Sequence, residues 1–284
     1  MKKIKILTDS TSDLPLETAG EYGIRVIPLN VHFGDKNYKD GVDLKPDDFY
    51  HLLKNDPAHP MTSQPTHEDF KAVYAEMTAD GSDVVSIHIS SKMSGTVGSA
   101  ETAGKELDNG RIHIVDSGQV SISLGMIALE CAKAVSNGAD LQEVISLTEK
   151  LKKRIKLYFI VDSLEYLEKG GRIGHAAAII GGILHIKPIL MLHDGTVCPF
   201  EKIRGTKKVL LRLEELLRDF MDTHGKDNVK VGFIHAACND SLEKFKEKIS
   251  GIYDPRHTVT VEIGPVVGTH VGPGVLGVSF YSLT

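Results

Sequence analysis

Short apolar runs and helical repeats take turns along the first half of the chain, and this alternation constrains the fold more than any other feature. Residues 4–8 are apolar and lead into the polar turn Asp9-Ser10-Thr11-Ser12-Asp13, and residues 26–33 form a second β-rich run. Lys45-Pro46-Asp47-Asp48 opens a helix, with proline and acids in its first turn. Thr66 with Asp69 caps the next, in which Phe70, Val73, Tyr74 and Met77 recur at helical spacing. Residues 84–89 and 111–115 read as strands flanking a helix over 94–107. Val120, Leu124, Ile127, Cys131 and Val135 make one apolar face of a long helix stopped by Asn137-Gly138, and Asp140 with Glu143 caps another that reaches Lys153. Such alternation predicts an α/β fold whose mainly parallel sheet carries helices on both faces. Ligands of such sheets bind outside the carboxyl ends of the strands. The loops expected there, 9–13, 90–96 and 116–119, are rich in Ser, Thr, Asp or Gly.

Beyond Lys153 the pattern changes. A strand over 157–161 precedes a short helix over 164–169 and the pair Gly170-Gly171. Residues 189–193 and 196–200 flank Asp194-Gly195, a two-residue hairpin signal that brings in antiparallel pairing. A helix over 205–224, a strand over 229–234, a helix over 240–249 and strands over 258–263 and 275–281 complete the pattern. Two domains are expected: 1–155, an N-terminal α/β domain with hydroxyl-rich ligand loops, and 156–284, a mixed-sheet α/β domain closing over them. A length of 284 residues suits two such units.

Composition removes several function classes. Lys plus Arg is 33 and Asp plus Glu is 38, a net charge of −5, which lacks the basic footprint of a nucleic-acid binder. The three cysteines have no metal-site or disulfide-framework spacing. The longest apolar run, 176–184, is shorter than the roughly 18 residues of a membrane span. The N-terminus reads as a first strand and not a signal peptide, so a soluble, cytoplasmic protein is expected.

Familiar catalytic motifs fail in context. Gly272-Pro273-Gly274-Val275-Leu276-Gly277 matches GxGxxG, but a strand and not a helix follows it. No phosphate loop, GxSxG elbow or HExxH is present. The 13 histidines show no metal spacing, and His88, His113 and His185 read as satisfied core or edge residues.

What remains are hydroxyl-rich loops. Met61-Thr62-Ser63-Gln64-Pro65 and Ser90-Ser91-Lys92-Met93-Ser94-Gly95-Thr96 each precede a helix. Unpaired N–H groups and hydroxyls there suit an anion, and Gly95 permits close approach; simple N-capping is the alternative for either loop alone. With Lys92 the only nearby cation, a carboxylate fits better than a polyphosphate. Gly170-Gly171-Arg172-Ile173-Gly174 offers one arginine, either a carboxylate partner or a surface residue after a helix cap. His270 sits between Gly268 and Gly272-Pro273-Gly274, in what reads as a stiff functional loop. The run 176–184 is either buried core or the lining of an apolar tunnel.

These pieces, in order, resemble the DegV family of fatty-acid-binding proteins. The matching segments are Thr8-Asp9-Ser10-Thr11-Ser12-Asp13-Leu14-Pro15, Met61 to Pro65, Ser94-Gly95-Thr96, Leu164 to Gly174, Lys187-Pro188-Ile189, Ile203-Arg204-Gly205 and Gly268 to Gly274. Val97-Gly98 departs from the bulkier residue expected there. The resemblance implies two α/β domains with a long-chain fatty acid such as palmitate between them. Its carboxylate would meet Thr62 and Ser94, with Ser63, Gly95, Thr96, Arg172 and His270 in support. It further implies a carrier with no cofactor, metal or catalytic constellation of its own, which presents the acid to a separate fatty acid kinase that brings ATP and makes an acyl-phosphate. A stand-alone hydrolase or phosphotransferase would need a nucleophile–base pair, which the sequence does not display. A lipid-sensing regulatory protein remains the other alternative.

Overall fold

The computed structural model describes residues 3–56, 58–107, 110–179 and 186–283. In chain order the elements are β1 (Ile4–Asp9), α1 (Leu16–Glu21), β2 (Ile24–Ile27), β3 (Asn30–Phe33), β4 (Lys36–Lys39), α2 (Pro46–Asn55), β5 (Met61–Ser63), α3 (His67–Thr78), β6 (Asp83–His88), α4 (Thr96–Leu107), β7 (Ile112–Asp116), α5 (Ile122–Ser136) and α6 (Leu141–Arg154). They continue with β8 (Lys156–Ile160), α7 (Glu165–Lys169), β9 (Ile186–His193), β10 (Thr196–Arg204), α8 (Thr206–His224), β11 (Val229–His235), α9 (Asn239–Lys248), β12 (Thr258–Glu262), α10 (Pro265–Val271) and β13 (Leu276–Ser282).

The expected α/β fold is present. A parallel sheet runs β2-β1-β6-β7, with Thr8 opposite Val26 and Ile6 opposite Val85. Period-two alternation sends Leu7 and Val84 to one face, under Phe70, Tyr74, Ala100 and Ala103 of α3 and α4. It sends Ile6 and Val85 to the other face, against α5 and α6. Both predicted capping boxes form, Thr66 with Asp69 and Asp140 with Glu143. A second, six-stranded sheet runs β10-β9-β8-β13-β11-β12, antiparallel except between β11 and β12. Asp194 and Gly195 turn the β9–β10 hairpin with φ of 52° and 72°, the left-handed pair a tight hairpin needs.

Between the two sheets lies α5. It has two sheet-facing sides, packing on β1, β2 and β6 and on β11 and β13, so ten of its fifteen residues are buried and not only the stripe expected from its spacing. Approach to β11 is close: a methyl on Gly232 would stand 2.8 Å from both Ile122 and Met126. α8 and α9 cover the outer face of the six-stranded sheet through Val209, Leu213, Leu217, Leu242 and Phe245.

Three local expectations are corrected. The run 26–33 is two strands of different sheets, because Pro28 carries no N–H to continue the ladder; β3 pairs instead with β4 and β5 in a small antiparallel sheet. His270 lies in a helix, α10, and not in a loop; Pro265 starts that helix and Gly272, at φ 70°, ends it. Of the run 176–184, residues 180–184 lie outside the described residues, as does His185. The described part is a 3-10 segment, Gly174–Ile179, in which Ala176 is buried while Ala177 and Ala178 are exposed, so it is not a helix buried on every side. Among the described residues no helix is long and apolar enough to cross a membrane.

Candidate functional site

The chain leaves β1 toward β2 on one side, while β6 is followed by β7 on the other, so the carboxyl ends of β1 and β6 bound a topological switch point. A cleft opens there. Leu29, Ile89 and Val120 form one wall, and Phe159, Leu192 and Val267 from the later half of the chain form the other. Empty space counted out to the open mouth is about 670 Å³. Small-molecule sites are about 300–1,000 Å³, mostly apolar, with few polar groups.

Most of those polar groups are neighbours of one another. Thr62, Ser63, Gln64, Ser94, Arg172 and His270 all line the cleft. Thr62 and Ser63 come from β5, an edge strand and not the loop expected from Pro65. Ser94 ends the loop after β6; its hydroxyl accepts the Thr96 N–H at 3.3 Å and lies 2.8 Å from the Thr96 hydroxyl. The helix that Ser94 was expected to open begins two residues later, at Thr96, so Ser94 lies just outside it. The two hydroxyl loops therefore converge, and a methyl on Gly95 would lie 2.7 Å from Gln64 Nε2.

His270 reaches across from α10, with Nε2 2.8 Å from Thr62 Oγ1 and Nδ1 buried without a hydrogen-bond partner. Burial, reinforced by the Arg172 charge and by His59, lowers its pKa to about 4, so the imidazole is neutral near pH 7. Arg172 is exposed and donates Nε–H to the Met93 carbonyl at 3.0 Å and Nη1–H to the Gly170 carbonyl at 2.7 Å, tying the Gly170-Gly171 turn to the Ser94 loop. Two sequence candidates are less directly placed. Thr96 is buried behind Ser94, outside the cleft lining, and Ser63 is engaged by His32 Nε2 at 2.9 Å and Asn30 Nδ2 at 3.3 Å.

Sequence reading missed Gln64 and Thr11, although both lie within segments it singled out. It also missed a buried chain below the cleft. Asp9 Oδ2 is 2.9 Å from His88 Nδ1 and accepts the Ile89 N–H at 3.0 Å; His88 Nε2 is 2.6 Å from Ser86 Oγ, itself 2.8 Å from the Tyr74 hydroxyl. The Asp–His–Ser order is that of an acyl-transfer triad. Ser86 and His88 are both 0% exposed, however, so no substrate reaches this serine, and the chain is a satisfied core network. His88 is thus the core histidine expected, whereas His113, on edge strand β7, buries Nε2 without a partner. Among the described residues the side chains close enough to hold an ion, His67, Glu68 and Glu106, are exposed on α3 and α4, and Glu106 already pairs with Lys71 at 2.9 Å.

The model of the DegV family ("Uncharacterised protein, DegV family") matches residues 3–283. The chain belongs to the DegV family. It is 39% identical over 282 residues to a DegV domain-containing protein of Halalkalibacterium halodurans, covering 99% of each chain. Among solved structures, a DegV family protein from Thermus thermophilus, described for its fatty acid binding, superposes with a TM-score of 0.92 at 35% identity, over 99% of this chain and 100% of that one. DegV from Bacillus subtilis, described as a fatty acid binding protein, superposes with a TM-score of 0.90 at 34% identity, again over 99% and 100%. DegV membership confirms the family resemblance read from the ordered motifs.

Proposed function

We propose that this chain is a carrier that binds a long-chain fatty acid in the cleft, with the carboxylate on Thr62 and Ser94 and the acyl tail between the apolar walls. The observation that carries this reading is a mainly apolar cleft in which the Thr62 and Ser94 segments, Arg172 and a neutral His270 lie together. It agrees with the fatty acids bound by the Thermus and Bacillus relatives. The walls come from two units, 1–155 and 156–284, which we take as the domains: the parallel sheet lies wholly in the first and the six-stranded sheet wholly in the second.

In the tautomer that carries its proton on Nε2, neutral His270 donates to Thr62 Oγ1, which leaves the threonine hydroxyl proton free to point at an anion. Ser94 supplies the second O–H, Gly95 lets Gln64 lie close, and Ser63 and Thr96 fix those two hydroxyl loops. Each hydroxyl–carboxylate bond contributes about 1.5–3 kcal/mol. A tail of roughly 14 methylenes adds on the order of 10 kcal/mol at about 0.8 kcal/mol each, before ordering costs. The tail therefore sets affinity and the hydroxyls select the head group.

The acid is then offered to a separate ATP-dependent kinase in the cytoplasm. A carboxylate oxygen attacks the γ-phosphorus, ADP leaves, and the acyl-phosphate stays on the carrier. Exposed Arg172 stands at the rim, where a partner would meet it. No cofactor of the carrier's own enters this scheme. Native mass spectrometry of freshly purified protein, followed by fatty-acid analysis of an organic extract, tests the reading. A stoichiometric long-chain acid is expected, and Thr62→Ala with Ser94→Ala should weaken labelled-palmitate binding by at least about 100-fold. An apo protein that also fails to bind palmitate would refute it. Arg172→Ala should reduce acyl-phosphate formation with the kinase more than palmitate binding, and equal losses would remove its assigned role.

A further inference from the structure

Helix α10 carries His270, yet its N-terminal end is gripped by side chains from the other half of the molecule. Asp13 Oδ1 accepts the Gly264 N–H at 2.9 Å, and Asp13 Oδ2 lies 2.5 Å from Ser121 Oγ. Asp40 is bonded by the Val266 N–H and by the Ser10 side chain, and the Tyr50 hydroxyl donates to the Ile263 carbonyl at 3.0 Å. Both carboxyl groups close on one glycine: a methyl on Gly264 would meet Asp13 Oδ1 at 3.0 Å and Asp40 Oδ1 at 3.4 Å. One turn later, a methyl on Gly268 would meet Phe49 at 2.7 Å and the Tyr50 hydroxyl at 2.8 Å, so the helix lies flush on α2. Asp13 and Ser121 themselves sit at φ 51° and 54°. A serine holds such a conformation only where its surroundings over-determine it.

We propose that Asp13 and Asp40 are positioning residues for the ligand head group: as neutral acids they seat α10, and through it the His270–Thr62 contact, and their ionisation loosens that seat. The part concerning ligand rests on the fatty-acid reading above; the part concerning His270 does not. Burial pushes Asp13 up to about 8 and Asp40 up to about 7, against the hydrogen bonds each accepts, with the Asp9 charge adding to the rise. A neutral Asp13 can still accept the Gly264 N–H with one oxygen and the Ser121 hydroxyl with the other, so it holds the helix without a buried charge. Once ionised, the pair places two like charges against one glycine and demands water, which the adjoining open groove can admit. The titratable groups around the pair are Asp9 from β1, Tyr50 from α2, Glu262 from β12 with Asp47 acting on it, and Glu17 and Lys45 along the groove. At the other end of α10, His270 faces Arg172 and His59 and stays neutral from pH 6 to 9.

The test follows the His270 imidazole by NMR and palmitate affinity by titration, both from pH 6 to 9. Wild type should shift its His270 signal and lose about tenfold in affinity on going to pH 9, the effect of a coupling of one pKa unit. Asp13→Asn and Asp40→Asn, whose amides imitate the neutral acids, should flatten both profiles while matching wild type at pH 6. Glu262→Gln should leave the wild-type profiles in place. Gly264→Ala, acceptable to the backbone at φ −71°, should displace the His270 signal at every pH. A flat wild-type His270 profile, or asparagine variants with the wild-type loss, would overturn the proposal. A His270 signal that behaves as stated in a protein that binds no palmitate would refute the lipid reading and leave the seat standing.

Discussion

A single methyl at residue 170 tests the head-group geometry. Gly170 has φ −75° and ψ −6°, which alanine adopts freely, so Gly170→Ala carries no backbone strain. With that alone considered, the change should stabilise the fold by about 0.4–1 kcal/mol by restricting the unfolded chain. The added carbon, however, would collide with His270 Nδ1 and stand 3.1 Å from the Tyr166 carbonyl. The ring must turn away, and its 2.8 Å contact with Thr62 is lost. An unmade buried hydrogen bond costs about 1–3 kcal/mol and overpacking a similar amount. The opposing terms leave a net loss of roughly 2 kcal/mol, a fall in Tm of about 4–8 °C at the usual sensitivity of large chains. Gly20→Ala is the control: it lies within α1, has no atom within 4 Å of the added methyl, and should raise Tm slightly. Thermal unfolding and palmitate titration read both. A Gly170→Ala protein as stable as the control variant, with wild-type affinity, would refute the argument that this glycine exists to admit the imidazole.

Other outcomes follow from the same geometry. The folded-state pKa of His270, lowered by burial and Arg172 to about 4, makes the unfolded chain bind more protons below its ordinary value of 6.5; stability should therefore fall as pH drops from 6.5 toward 4, less so in His270→Gln, by urea titration. Asp13 and Asp40 act with the opposite sign: their raised values favour folding most below the ordinary 3.8, and that contribution is lost progressively as pH rises from there to about 8 and about 7, so Asp13→Asn should reduce the fall in stability between about pH 4 and 8 in the same titration. Asp9→Ala strips His88 of its fully buried partner and should cost roughly 3–5 kcal/mol in urea unfolding; a loss under about 1 kcal/mol would show that the pair is dispensable. Gly95→Ala should push the Gln64 amide, 2.7 Å away, out of place and lower palmitate affinity with little change in Tm. Unchanged affinity would exclude Gln64 from the head-group contacts.

Much of the fold is legible because its elements carry local marks. The two capping boxes, the Asp194-Gly195 hairpin and the alternating strands each follow from residues within a few positions of one another. What is not legible depends on partners distant in sequence. α5 reads as a one-sided amphipathic helix because Ser123 and Gly125 interrupt its apolar character, yet Ser123 pairs with Ser279 at 2.9 Å, and a methyl on Gly125 would stand 2.8 Å from the Ser12 carbonyl. Both are core residues made acceptable by neighbours more than a hundred positions away.

The site divides along the same line. Thr62 and Ser94 were legible as hydroxyls beside helix starts, a local signal, but not that Thr62 would be carried by β5 of a separate antiparallel sheet while Ser94 follows a strand of the parallel one. His270 was legible as a residue pinned among glycines, but the purpose of those glycines was not. Gly268 admits Phe49 and Tyr50, while the distant Gly170 admits the ring itself. Asp13 illustrates the limit best. In the sequence it closes a polar turn and reads as turn chemistry, which its φ of 51° bears out. Its second role depends on Gly264, 251 positions away, which it can reach only when the two sheets have packed on opposite sides of α5. A residue whose local job is complete gives no sign in the sequence that it has another. The acids beneath α10, and not the hydroxyls of the cleft, are therefore where the structure adds most to what the sequence says about this cleft.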